Sequence, residues 1–211
     1  MSVVEKIIFD NVGLSFDDNA IFKNCNLTLF SSKVTGICGK NGIGKSTFLK
    51  LAGKIIKPDE GKVNFFDGKN LSDAECSEKV SMITPEMKIY DELTAFENLD
   101  FFSKLRGKNL NDEEKFRLGE KAGFDFRKYG FSRTGNLSTG MCQRLKFAIL
   151  LNVDSEICLL DEPTANLDNE GKEFFYSEIK KLAQSGKIIL IATNDEKELN
   201  ICDEVITLSL N

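Results

Sequence analysis

Residues 39–47 read Gly39-Lys40-Asn41-Gly42-Ile43-Gly44-Lys45-Ser46-Thr47, the pattern G-x-x-x-x-G-K-[ST]. The apolar run Val34–Cys38 before it reads as a buried strand. After it, Phe48, Leu49 and Leu51 group near one face of a helix that starts at Ser46. Strand, glycine loop and helix in that order make a cradle for a phosphate chain. Gly39, Gly42 and Gly44 let the backbone curl until successive N–H groups point inward. The helix N-terminus adds about half a positive charge at the same place. Lys45 can reach terminal phosphates as a mobile cation, and the Ser46 hydroxyl can ligate magnesium. The bland alternative is a glycine-rich turn that matches by accident, and four fixed positions in the right context weigh against it.

The chain has 211 residues and a net charge of −5, with an isoelectric point near 5.0. That length fits one large domain, or one domain with a small insert. There is no basic field of the kind a nucleic-acid partner requires, and none is expected. The cysteines (Cys25, Cys38, Cys76, Cys142, Cys158 and Cys202) are irregularly spaced, mostly in apolar stretches. They read as reduced, buried small hydrophobes of a cytosolic protein. Met1–Lys6 open no signal peptide, and no run approaches the roughly 18 apolar residues of a membrane span. The expectation is no direct membrane insertion, so that any membrane role comes through a partner. The sequence contains no histidine, which excludes imidazole catalysis and histidine metal sites.

Further elements follow from periodicity. Strands are expected at 3–10 and 21–30, joined by a turn over 13–19 that carries the exposed-looking Phe16. In the second of these, Cys25, Leu27 and Leu29 alternate with Asn24, Asn26 and Thr28, the period of a half-buried antiparallel strand. A strand at 62–66 and another at 79–84 come next. From about 91 to 135 the character turns helical. Thr94-Ala95-Phe96-Glu97 fits a capping box, with Leu99, Phe102 and Leu105 continuing the stripe. Asn111 opens a second helix that ends at Gly123. The alternation then resumes: helix 139–152, strand 156–161, helix 169–184 with Phe175, Ile179 and Leu182 inward, strand 187–193, helix 195–200 and strand 204–208. The runs 157–160 and 188–191 are continuously apolar, as in parallel strands covered on both faces.

Ile157-Cys158-Leu159-Leu160-Asp161-Glu162 ends such a strand in two carboxylates, and ligands gather at the carboxyl ends of strands in open α/β sheets. Asp161 is placed to hold a magnesium opposite Ser46, and Glu162 to orient an attacking water. Leu137-Ser138-Thr139-Gly140-Met141 leads into a helix, so Ser138 and Gly140 offer a hydroxyl and an unhindered N–H at its start. An ordinary N-cap explains the same residues.

Taken together, this ordered set resembles the ATP-binding cassette (ABC) ATPases over essentially the whole chain. Residues 39–47 look like the family's Walker A loop and 157–162 like its Walker B strand. Residues 137–141 are similar to the signature LSGGQ, and Asn166-Leu167-Asp168 sits where the D-loop belongs. Phe16 stands at the adenine-stacking aromatic, Glu86 at the Q-loop glutamine and Asn194 at the switch histidine. The resemblance implies an α/β fold of the P-loop NTPase type. It would have a RecA-like core with an antiparallel β subdomain over about 1–85 and 136–211, and a small helical subdomain over about 86–135. It implies ATP and Mg²⁺ as cofactors, with Ser46, Asp161 and Glu86 on the metal, and Lys45, Glu162 and Asn194 in hydrolysis. Residues Phe16, Gly39, Lys40, Asn41, Gly42, Ile43, Gly44, Lys45, Ser46, Thr47, Ser138 and Gly140 would contact nucleotide.

The implied partners are a second ATPase subunit, in a homodimer or heterodimer, and a separate transmembrane permease. The permease would hold the chain on the cytoplasmic face of the membrane, in a groove to which Tyr90, Phe96, Phe101 and Phe102 are candidate contributors; core of the helical insert is the alternative for most of these aromatics. The stretch Leu93–Leu99 looks like the haem-exporter type of cytochrome c maturation, and Leu-Ser-Thr-Gly-Met also looks like ABC-2-type exporters. Where the sequence departs from the family pattern, the chemistry changes. Glu86 adds negative charge near the acids. Asn194 can donate a hydrogen bond to phosphate but cannot be protonated, which points to slow hydrolysis. A regulatory module that binds ATP without turnover is the alternative. Asn194 as a plain helix cap and Phe16 as a core anchor are the structural alternatives for those two residues.

Overall fold

The computed structural model describes residues 3–16 and 19–209. Along the chain run β1 (Lys6–Phe16), β2 (Asn19–Phe30), β3 (Lys33–Cys38), α1 (Lys45–Ala52), β4 (Glu60–Phe66), α2 (Asp73–Glu78) and β5 (Val80–Ile83). Then come α3 (Ala95–Lys104), α4 (Asp112–Ala122), α5 (Phe126–Tyr129), a 3₁₀ turn at Thr134–Asn136 and α6 (Thr139–Val153). The last elements are β6 (Ile157–Asp161), α7 (Asn169–Gln184), β7 (Ile188–Ala192), α8 (Glu196–Leu199) and β8 (Glu204–Thr207). They fall into two compact units: residues up to 82 with 155–162 and from 179 on, and residues 83–154 with 163–178. The second unit takes in more chain than a helical insert over 86–135.

The first unit holds two sheets. One is antiparallel, in the order β2-β1-β4; the other has five strands in the order β5-β6-β7-β3-β8, with β6, β7, β3 and β8 parallel. Every residue of β6 and β7 is buried, as their unbroken apolar runs require. α1 packs between the sheets through Phe48, Leu49 and Leu51, all at or below 1% exposure. Phe48 stacks on Phe9 of β1 with ring centroids 5.1 Å apart, and Phe22 of β2 meets it edge-on at 6.0 Å.

The first hairpin corrects the expected boundaries. β1 does not stop near residue 10 but continues to Phe16, so Gly13–Phe16 are strand rather than turn; residues 17 and 18 lie outside the described residues. Asn11 takes a left-handed φ of 49° and the pairing with β2 slips between Phe9 and Val12. Asparagine tolerates that conformation, and here a cross-strand pair steadies it: Asn11 N–H donates to Asn26 Oδ1 at 2.9 Å and Asn26 Nδ2 to Asn11 Oδ1 at 3.0 Å.

In the second unit the capping boxes at Thr94/Glu97 and Asn111/Glu114 both form. The inward face of α3 differs from the expected stripe. Leu105 is 66% exposed and Phe102 only half-buried, while Phe96, Leu99 and Ser103 face inward with Asn98. Burial of Asn98 is stable because its amide is saturated: Oδ1 accepts from Tyr90 N–H at 2.8 Å, and Nδ2 donates to Tyr90 O at 3.0 Å and Thr94 O at 3.1 Å. Phe96 stacks on Phe126 at 5.3 Å, which makes it core and removes it from the groove aromatics; Tyr90 and Phe101 remain exposed. In α7 the buried hydrophobic positions are Phe175, Tyr176, Ile179 and Ala183, with Leu182 half-buried.

Only Cys76 and Cys158 are buried, the other cysteines being half-exposed. Burial nevertheless pushes the Cys25, Cys76, Cys142 and Cys202 thiols up, Cys202 to about 12. They therefore stay protonated and poorly nucleophilic at neutral pH.

Because α1 fills the space between the two sheets, replacing Phe48 with alanine leaves a cavity that neither sheet can close. Phe48→Ala is expected to cost about 3–5 kcal/mol, read from urea unfolding.

Candidate functional site

Three strand ends lie level in the parallel sheet. Ile37 of β3 pairs with Ala192 of β7, and Ala192 pairs in turn with Asp161 of β6. The residues that leave those strands are the loop 39–47, Thr193–Asn194 and Glu162. Backbone bonds hold the exits together: Thr193 N–H donates to Ile37 O at 3.0 Å and Glu162 N–H to Ala192 O at 2.9 Å. A cleft of about 320 Å³ opens there, lined by Asn41, Gly42 and Gly44–Thr47 of the loop and by Asp161 and Glu162.

Within the loop, Lys40, Asn41 and Gly42 are exposed while Ile43 turns into the core, so Ile43 presents only its backbone. Gly44 caps α1 at φ 106°, and a Cβ there would lie 2.7 Å from Ile21 Cγ2. Only glycine fits this position, on grounds of both conformation and space. Lys45 is 7% exposed. Its ammonium folds back over the loop, donating to Gly39 O at 2.9 Å and Asn41 Oδ1 at 3.4 Å. Asn194 reaches the same loop with both ends of its amide: Oδ1 accepts from Gly39 N–H at 3.3 Å, and Nδ2 donates to Asn41 Oδ1 at 2.9 Å. Asn41 thus ties Lys45 to Asn194, a contact that spacing along the chain does not announce. The helix cap, the structural alternative for Asn194, belongs instead to Asp195, whose carboxylate accepts from Lys197 N–H at 2.8 Å.

The two acids differ. Asp161 is 5% exposed. Glu162 is exposed and turned out of the strand by a left-handed φ of 47°. That conformation costs a non-glycine residue about 1–3 kcal/mol, a strain that functional sites tend to hold. Among the described residues no three acids, cysteines or histidines form a metal cage. Magnesium does not need one: it keeps waters and binds through one or two carboxylates together with substrate phosphates. A serine hydroxyl and a buried aspartate lining one cleft suit a magnesium that arrives on a phosphate chain.

Phe16 ends β1 at 52% exposure, too open for a core anchor. In the second unit Ser138 caps α6, accepting from Met141 N–H at 3.2 Å, as an ordinary N-cap does. Ser138 and Gly140 also line a separate cleft of about 450 Å³ with Tyr129, Arg144, Asn166 and Asp168. Glu86 is exposed in this unit. Burial pushes the Lys146 ammonium down, and the nearby Cys142 and Glu86 oppose that shift, so Glu86 has a cation in its own surroundings. Gln143 and Arg144 were not anticipated as site residues. Arg144 stands one helical turn after Gly140, and that spacing was the available signal.

These features match known proteins. A family model described as ABC transporter fits residues 22–165. ABC transporter ATP-binding protein NatA of Bacillus subtilis is 34% identical over 191 residues, which cover 88% of this chain and 77% of that protein. Ribose import ATP-binding protein RbsA of Halalkalibacterium halodurans is 31% identical over 205 residues, 92% of this chain but only 41% of that longer protein. Among solved structures, the dimeric post-hydrolysis state of the ATP-binding cassette MJ0796, bound to ADP and Pi, superposes with a TM-score of 0.84 at 26% identity. The match covers 96% of this chain and 94% of that one. With the phosphate loop, the strand-end acids and the level sheet exits in place, the chain belongs to the ABC transporter family, as one of its ATP-binding and ATP-hydrolysing cassettes.

Proposed function

We propose that ATP binds in the cleft of the first unit and is hydrolysed there by the residues that leave the three level strands. The observation that carries this is the cleft itself, with Lys45, Ser46, Asp161 and Glu162 on its walls and Asn194 bonded to its loop. The loop amides and Lys45 hold the β- and γ-phosphates, and the loop residues from Gly39 to Thr47 wrap them. Ser46 and Asp161 would hold a magnesium ion, which would neutralise charge on the phosphates. Glu162, exposed at the strand end, takes the proton of the attacking water. Phe16 stacks on adenine, for which its half-open ring is suited.

The Asn194 amide already donates at the loop and can turn its N–H₂ to a phosphate oxygen. It supplies a hydrogen bond but no titrating group, so turnover is slow. Ser138 and Gly140 of a second copy close the γ-phosphate, which makes ATP part of a dimer interface. The dimeric state of the similar cassette supports that arrangement. Hydrolysis in this dimer drives export through a separate permease, of the haem-exporter or ABC-2 type. That last assignment rests on the stretch Leu93–Leu99 and the sequence Leu-Ser-Thr-Gly-Met; in the fold, Thr94, Glu97 and Asn98 of that stretch also form a cap and a buried polar knot.

Glu162→Gln is expected to lower kcat by about a hundred- to ten-thousandfold while ATP still binds. Equal background rates in wild type and variant would instead favour a regulatory module that binds without turnover. Asn194→Ala should cost up to about a hundred- to a thousandfold in kcat, and unchanged turnover removes the amide from the chemistry. Because an amide does not titrate, Asn194→His should add an inflection near about pH 6.5 to the kcat profile. A pH series on both proteins reads it directly.

A further inference from the structure

The second unit contains a set of contacts that none of these roles uses. Arg144 lies one turn beyond Gly140 on α6, over the same face of the helix. Its guanidinium bridges two chain segments. Nη1 donates to Gly123 O at 3.0 Å and Nη2 to Asp168 Oδ1 at 3.1 Å. The same Asp168 oxygen accepts from Gly171 N–H at 2.8 Å, in the first turn of α7. One residue earlier on α6, Gln143 Nε2 donates to Pro163 O at 2.6 Å. Segment 163–168 is therefore held at both ends from a single turn of α6. The backbone is close-fitted around the grip. A Cβ on Gly140 would lie 2.9 Å from Asn166 O, and one on Gly171 would lie 2.6 Å from Arg144 Nη2 and 2.7 Å from Asp168 Oδ1. Asn166 and Asp168 line the same cleft as Ser138 and Gly140.

We propose that Arg144, with Gln143 beside it, is a positioning residue. It locks segment 163–168 to the start of α6, so that Ser138, Gly140 and residues 166–168 meet a nucleotide as one surface. This rests on the reading above, in which that surface closes on ATP bound by a second copy. The Asp168 side chain is 71% exposed, so its ion pair with Arg144 adds little stability; what the pair fixes is direction. A rigid planar fork can reach Gly123 O and Asp168 together. A lysine ammonium on a flexible stem satisfies one of them and leaves the other segment free.

The test compares Arg144→Met, Arg144→Lys, Asp168→Asn and the double variant Arg144→Met/Asp168→Asn. Both Arg144 variants should lose on the order of ten- to a hundredfold in kcat, because misplaced groups close poorly on the reacting phosphate. KM for ATP should stay within about twofold, and the double variant should be no slower than its worse single parent. The urea midpoint should barely move. In a Glu162→Gln background, where turnover is removed, ATP-driven dimer formation on size exclusion should weaken with Arg144→Met. Unchanged kcat and dimerisation, full activity in Arg144→Lys, losses that multiply in the double variant, or a rise in KM matching the fall in kcat would each overturn the proposal. If wild type hydrolyses and dimerises with ATP and the Arg144 variants match it, the grip alone fails. If wild type does neither, the functional reading fails and the positioning role falls with it.

Discussion

The register of the parallel sheet is the constraint on which the first unit's chemistry depends. β7 lies between β3 and β6, and its last residue, Ala192, pairs with Ile37 on one side and Asp161 on the other. Adjacent strands stand about 4.8 Å apart, so the ends of β3 and β6, from which the phosphate loop and the acids depart, are roughly 10 Å apart. That gap suits a phosphate group and its metal. Asn194 leaves the middle strand, between the two, and its amide reaches the loop. A slip of one residue in β6 would turn Asp161 to the opposite face, and one in β3 or β7 would take the strand exits out of level.

A register this demanding needs a dry, close-packed sheet. β6 and β7 are buried along their whole length, and the stacked Phe9 and Phe48 tie the helix that carries Lys45 and Ser46 to the antiparallel sheet. The core thus supports two costly features: the left-handed turn at Glu162 and a nearly buried ammonium at Lys45. Lys45 avoids the full cost of burial because its ammonium donates hydrogen bonds to Gly39 O and Asn41 Oδ1. The same two acceptors keep its charge beside the cleft.

The second unit is held by a different kind of interaction. Its aromatic cluster, centred on Phe96 and Phe126, is joined by polar groups that each satisfy several partners: the Asn98 amide on Tyr90 and Thr94, and the Arg144 fork on Gly123 and Asp168. Such groups are directional where apolar contacts are not. Here they fix the start of α6 against residues 163–168.

Local chemistry made much of this legible in advance. The glycine loop, the apolar runs of β6 and β7, and the capping boxes at Thr94 and Asn111 each depend on residues within a few positions of one another, so the chain alone determines them. Even α2, which periodicity missed, carries its signal in the capping box of Ser72 and Glu75. Helix faces were less certain, because a 3.6-residue period tolerates neighbouring choices: Ala183 is buried where Leu182 looked better, and Leu105 reaches solvent. Which residues from distant segments meet was decided by the tertiary structure. Asn41 and Asn194 lie 153 positions apart, and Arg144 and Asp168 lie 24 apart. Nothing local in either pair names the other. Strand order and helix packing bring them together, and a hydrogen bond exists only where those long-range choices leave donor and acceptor about 3 Å apart.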